Sequence, residues 1–220
     1  SITVATADGT TQVITVTIAG TNDAAVITGT STASLTETNA ALTASGTLSA
    51  TDVDSSAAFV AQTGVLGSNG YGNFSINAAG AWTYTANSAH NEFAAGTNYT
   101  DSITVATADG TTQVITVTIA GTNDAAVITG TSTASLTETN AALTASGTLT
   151  ATDIDSSNAF VAQTGAAGSN GYGTFSINAA GAWTYTANTA HNEFAAGTNY
   201  TDSITVATAD GTTQVITVTI

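Results

Sequence analysis

The chain is expected to be all-β, a tandem of seven-stranded antiparallel Greek-key β-sandwiches, and three features of its 220 residues point there. The first is a repeat. Ser1-Ile2-Thr3-Val4-Ala5-Thr6-Ala7-Asp8-Gly9 returns at Ser102 and again at Ser203, so a 101-residue unit is written twice and begun a third time, with seven differences between residues 1–101 and 102–202. A period of about 100 residues is the size of one sandwich domain and far exceeds the 20 to 50 residues of solenoid units. The second is composition: Thr, Val, Ile, Ala, Gly, Ser and Asn dominate and Pro is absent, and β-branched side chains suit pleated, half-buried surfaces. The third is period-2 alternation between Gly/Asn turns.

The frame follows from the repeat. Residues 1–19 are read as the last hairpin of a preceding, truncated repeat, 20–23 as a linker, 24–120 as a sandwich, 121–124 as a second linker and 125–220 as a second sandwich. Within 24–120 a first strand runs from Val26 to Leu35 and a second from Thr43 to Ala50. A third apolar run, Ala57 to Thr63, leads to a Gly-rich turn at Gly67–Gly72. Asn73–Ile76 and Ala81–Thr85 form a hairpin about Asn77–Gly80, with Trp82 and Tyr84 on one core-facing side. His90–Gly96 has room for one helical turn. Ser102–Thr107 and Thr112–Ala120 complete seven strands around an Asp109-Gly110 turn.

Charge narrows the function. The chain has 15 carboxylates, no Lys, no Arg and no Cys, and a net charge of −15. Nucleic acids and anionic membranes select Lys/Arg clusters, so neither is an expected partner, and no apolar run is long enough for membrane insertion. No arrangement of nucleophile, base and oxyanion donor stands out, so no enzyme is expected. His90 and His191 lack a third ligand nearby and read as surface or capping residues, and Asp52-Val53-Asp54-Ser55-Ser56 lacks the Gly and terminal Glu of an EF-hand.

Strands of eight to ten residues span about 30 Å, which sorts the acids by pole. Glu37, Asp101, Asn123 and Asp124 fall at the lower end of one repeat, and Asp153, Asp155 and Asp210 at the upper end of the next. Asn22, Asp23, Asp52, Asp54 and Asp109 form the equivalent first junction, and Glu138 and Asp202 a half-site at the C-terminal end. Clustered carboxylates need positive partners, and this chain supplies no permanent one. Dense hard oxygens in loops match Ca²⁺, with two or three ions at each junction. Asp101 has a second reading as a cap on its own strand.

Gly121-Thr122-Asn123-Asp124-Ala125-Ala126-Val127, Thr137-Glu138, Ala151-Thr152-Asp153-Ile154-Asp155, the Gly-Tyr-Gly-Thr-Phe-Ser-Ile-Asn run from Gly171, Gly181-Ala182-Trp183-Thr184-Tyr185 and Ala209-Asp210-Gly211 together resemble the VCBS repeat of long bacterial surface adhesins of the RTX type. The same landmarks are similar to those of cadherin domains, where a Glu, an Asp-x-Asn-Asp linker, an Asp-x-Asp and an Ala-x-Asp bind calcium between modules. The resemblance implies an extracellular, secreted spacer on the bacterial surface, stiffened by Ca²⁺ and supporting adhesion and biofilm, whose partners are neighbouring repeats. Two departures stand out: Ala25 and Ala126 replace the usual Pro, and Gly20 and Gly121 remove a carboxylate from the linker. Alternative readings are a carbohydrate- or partner-binding module acting through Gly67–Gly72, and a subunit of a polymerising extracellular filament with homotypic contacts.

Overall fold

Alternating side chains do build strands here, and the computed structural model, which describes residues 1–220, contains eighteen of them and no helix. β1 (Ile2–Ala5) and β2 (Thr11–Ile14) pair only with each other. The first full set is β3 (Val26–Gly29), β4 (Thr32–Thr36), β5 (Thr43–Thr51), β6 (Gln62–Leu66), β7 (Gly72–Ile76), β8 (Ala81–Ala86), β9 (Asn98–Ala106) and β10 (Thr112–Ala120). It repeats as β11 (Val127–Gly130), β12 (Thr133–Ser135), β13 (Thr144–Thr152), β14 (Gln163–Ala167), β15 (Gly173–Ile177), β16 (Ala182–Ala187), β17 (Thr201–Ala207) and β18 (Thr213–Thr219). Each set makes a five-stranded sheet, ordered β3-β5-β8-β7-β6 or β11-β13-β16-β15-β14, and a three-stranded sheet, ordered β4-β10-β9 or β12-β18-β17.

The chain divides into two compact units. One contains Ser1–Ala33, Thr43–Thr85 and Asp101–Val117, the other Ser34–Leu42, Ala86–Thr100 and Thr118–Ile220. In the first, Leu48, Phe59, Phe74, Ile76, Trp82, Tyr84, Val105, Ile115 and Val117 are buried. The core of the second contains the equivalents Leu149, Phe160, Phe175, Ile177, Trp183, Tyr185, Val206, Ile216 and Val218. Trp82 and Tyr84 face inward as their spacing predicts, and the Trp82 indole N–H donates to the Thr30 carbonyl at 2.7 Å, which meets the polar requirement of a buried Trp.

Four details differ from expectation. The strand expected from Val26 to Leu35 breaks into β3 and β4, one in each sheet, so each repeat has eight strands. The break lies at Gly29, whose φ is +104° and where a Cβ would meet the Thr47 carbonyl oxygen at 2.4 Å; only Gly takes that conformation cheaply. The switch also makes one pairing parallel, β12 with β18. The third strand begins at Gln62 rather than near Ala57, and Phe59 makes only an isolated bridge to Thr107. The helical turn expected at 90–96 is instead a pair of single turns, Phe93 N–H to His90 O at 2.9 Å and Thr97 N–H to Ala94 O at 3.2 Å.

Candidate functional site

The Asp-Gly turn joining β17 to β18 is a heavily bonded acidic site. Asp210 accepts hydrogen bonds from the hydroxyls of Thr208 and Thr212, from the Thr212 N–H at 3.1 Å and from the Ala126 N–H at 3.1 Å. The two threonine hydroxyls lead in holding its carboxyl well below the usual carboxylate range, because donors aimed at the charged form favour it. Asn123 reaches the same carboxylate with its side-chain amide at 3.5 Å. Asp210 therefore ties the residues after the 121–124 segment to the turn.

Against that brace lies a loose cluster in the second compact unit. Asp153 Oδ1 accepts the N–H groups of Asp155 at 3.1 Å and Ser156 at 2.8 Å, and Asp155 Oδ1 accepts the Asp124 N–H at 3.4 Å. Glu37, only 2% exposed, donates its N–H to Ala120 O at 2.8 Å, and one of its carboxylate oxygens accepts the Thr122 hydroxyl. The remaining oxygens are unmatched: Glu37 Oε1, Asp124 Oδ2, Asp153 Oδ2, Asp155 Oδ2 and Asn91 Oδ1 are all buried without a hydrogen bond. Asn91, Asp124 and Asp153 line one cleft of about 550 Å³ with Asn39, Val127, Thr152 and Ile154. Burial, then the charges of Glu37 and Asp153, raises the Asp124 carboxyl; burial, then Asp153, raises that of Asp155. No three His, Asp or Glu side chains close on one point as a finished metal-holding group. The donors nevertheless fit a hard cation, since five buried oxygens lack donors and two of the carboxyls are penalised for ionising.

Asn91 was not singled out by sequence. Its amide hides beside Glu92 in a segment with no strand pattern; its signal was an oxygen-bearing side chain in the unassigned His-Asn-Glu run. Gly121 now has a physical reason: a Cβ there would meet Phe93 O at 2.4 Å and Ala94 O at 2.3 Å, so no carboxylate side chain fits.

A model of the bacterial cadherin-like domain matches residues 22–121 and again 123–220. The chain belongs to that family. No curated protein sequence matches it. Among solved structures, it resembles a protocadherin gammaB7 EC3-6 cis-dimer structure at 16% identity and TM-score 0.50, covering 90% of this chain and 47% of that one. It also resembles protocadherin gamma B7 extracellular cadherin domains 1-4 at 15% identity and TM-score 0.50, covering 89% and 49%. The chain thus spans about half the length of these solved chains, and the likeness is one of fold.

Elsewhere the cadherin-like repeats reuse the same parts. In the first compact unit Ala25 N–H bonds Asp109 Oδ2 at 3.0 Å, Asp23 N–H reaches both oxygens of Asp54, the closer at 3.2 Å, and Asp54 N–H bonds Asp52 Oδ1 at 3.0 Å. Asn22 bonds only the Asp23 carbonyl, at 3.1 Å. Asp54 is exposed here, whereas its equivalent Asp155 is half-buried. Asp52 Oδ2 and Glu138 Oε1 are further buried oxygens without partners.

Asp101 and Asp202 are corrected. The structure places Asp101, fully buried, under the Gly67–Gly72 loop, accepting the N–H groups of Asn69 at 2.9 Å, Tyr71 at 3.1 Å and Gly72 at 3.0 Å. Asp202 does the same for Asn170 at 2.8 Å and Gly173 at 2.9 Å, and burial followed by its charge pushes the neighbouring Tyr185 hydroxyl up to about 12. Both carboxylates are neutralised by loop dipoles and contribute no free oxygens to a metal site. The same pin makes the Gly67–Gly72 loop a structural plug: a Cβ on Gly67 would lie 2.1 Å from the Asp101 carboxylate.

The histidines are buried rather than on the surface. His191 Nδ1 faces Glu193 Oε1 at 2.8 Å and Nε2 faces the Tyr172 carbonyl at 2.7 Å, while its ring stacks on Phe194 at 4.7 Å. His90 likewise meets Glu92 at 2.8 Å and stacks on Phe93.

Proposed function

We propose that this chain is a stretch of spacer repeats from an extracellular bacterial adhesin of the VCBS type, in which Ca²⁺ held at the 121–124 linker fixes one repeat to the next. The domains are those of the repeat, 24–120 and 125–220, with 1–19 closing a preceding one. The observation that carries this reading is the set of five buried, unpartnered oxygens from Glu37, Asn91, Asp124, Asp153 and Asp155 in a chain without Lys or Arg. Six to eight oxygens around Ca²⁺ is the ordinary requirement. Glu37, Asn91, Asp124, Asp153 and Asp155 would hold the ion, with Asn123 and Asp210 bracing the linker; Asn22, Asp23, Asp52, Asp54 and Asp109 would serve the equivalent upper end of the first repeat, and Glu138 the lower end of the second. When bound, the ion supplies the positive charge that the side chains lack. Without it the like charges repel by about 4 kcal/mol per close pair at intermediate dielectric, which favours separated repeats.

A spacer role on the bacterial surface, supporting attachment and biofilm, accords with cadherin-like repeats. The test is calorimetry and small-angle scattering with calcium and with chelator. Calcium at about 100 times its dissociation constant should add about 2.7 kcal/mol of stability per site and lengthen the scattering envelope. Asp153→Asn combined with Asp155→Asn should remove both responses. A midpoint and envelope indifferent to calcium would overturn the reading.

A further inference from the structure

Only two residues other than glycine hold a left-handed backbone in this chain, and they are equivalent: His90 at φ +61° and His191 at φ +53°. The thirteen other positive-φ positions are all glycine, which takes that region without steric cost. A ring-bearing side chain kept there in both repeats is a strained feature that its surroundings must enforce.

The surroundings of His90 do so from several sides. His90 Nδ1 and Glu92 Oε1 meet at 2.8 Å, a bridge that passes over Asn91 from one neighbour to the other. The Phe93 N–H donates to the His90 carbonyl at 2.9 Å, and the Ser88 hydroxyl accepts the His90 N–H at 3.3 Å. The buried His90 ring stacks on Phe93 with centroids 4.6 Å apart, and Phe93 stacks on Tyr99 at 3.8 Å. Asn91 is the residue at the middle of this turn. It lines the cleft with Asp124 and Asp153, and its Oδ1 is buried without a hydrogen bond. The following turn also anchors the linker, since the Gly121 N–H donates to Thr97 O at 2.9 Å, three residues before Asp124.

We propose that His90 is a positioning residue for the cation site, its clamped ring and left-handed backbone directing the Asn91 amide oxygen to the ion held by Asp124 and Asp153. This rests on the calcium reading above. An amide oxygen adds a ligand without adding a charge, which suits a centre already crowded with carboxylates. Glycine at this position would keep the backbone but lose the ring and its bridge to Glu92, and groups that hold a ligand from behind tune metal affinity. His191 repeats the arrangement, with Glu193 at 2.8 Å and Phe194 at 4.7 Å, around Asn192.

The test compares the full chain with His90→Gly, Asn91→Ala and the doubly substituted variant. Calorimetry gives the calcium dissociation constant, and Tb³⁺ luminescence lifetimes in ordinary and heavy water, at substoichiometric Tb³⁺, give the number of bound waters. Gly accepts the left-handed backbone, so His90→Gly removes the ring and its ties alone. His90→Gly and Asn91→Ala should each weaken calcium binding about tenfold and raise the water number by the same amount, and the double variant should bind no more weakly than Asn91→Ala. A role confined to the fold would lower the thermal midpoint in chelator and leave both metal readouts at parent values, which overturns the proposal. An effect that adds to that of Asn91→Ala overturns it too. If His90→Gly does not fold, His90→Asn, which also tolerates the left-handed region, is measured in its place. A parent chain that binds neither ion overturns the calcium reading and this inference together, whereas a parent that binds both, with His90→Gly binding as tightly, overturns this inference alone.

Discussion

At the residue scale, two carboxylates with the same formal charge have opposite tasks because of what surrounds them. Asp101 is completed by backbone N–H groups, whereas Asp153 keeps one buried oxygen unpartnered. Asp101→Ala should therefore destabilise the fold by about 2 to 4 kcal/mol, equally in calcium and in chelator, since buried N–H groups lose a charged acceptor. Asp153→Asn should cost little in chelator and abolish the calcium increment; paired melting curves separate the two. His191 gives a pH signature. Both ring nitrogens face acceptors, and Glu193 first, then the Tyr172 carbonyl, raises its pKa. Its contribution is full below the unfolded value of about 6.5 and is lost as pH rises through the higher folded value. Midpoints should fall between pH 6 and 8 in the parent, and less so in His191→Gln.

At the element scale, the hairpins and the inward aromatics were legible because alternation and Asn-Ala-Ala-Gly or Asp-Gly turns are local signals. The exchange of sheets between β3 and β4 was not, because Val26–Leu35 reads as one continuous strand and the break depends on a contact of Gly29 with Thr47. Gly29→Ala should destabilise by roughly 1 to 3 kcal/mol, combining positive φ with a backbone clash, measurable by denaturant titration. Of the site, the linker and Asp-x-Asp acids were legible from spacing. Asp101 and Asp202 were misplaced, since pole sorting fixes height along a strand but not the loop that folds over it. Asn91 lay in a stretch with no period to place it.

At the scale of the whole molecule, self-repulsion sets the behaviour. Fifteen carboxylates without a Lys or Arg mean that salt alone should recover part of the stability seen with calcium, because screening acts over about 10 Å at 0.1 M. Midpoints in chelator should rise with sodium chloride, and the same series in saturating calcium should be flatter. The exposed turns carry a further consequence. Asp8-Gly9, Ser68-Asn69, Ala78-Ala79, Gly110 and Ala195–Thr198 are solvent-facing tips of the kind at which proteolysis usually begins, and none offers a basic side chain. Enzymes that cut after Lys or Arg find no site in any of them, folded or unfolded, so a protein displayed among secreted trypsin-like proteases would outlast its own denaturation.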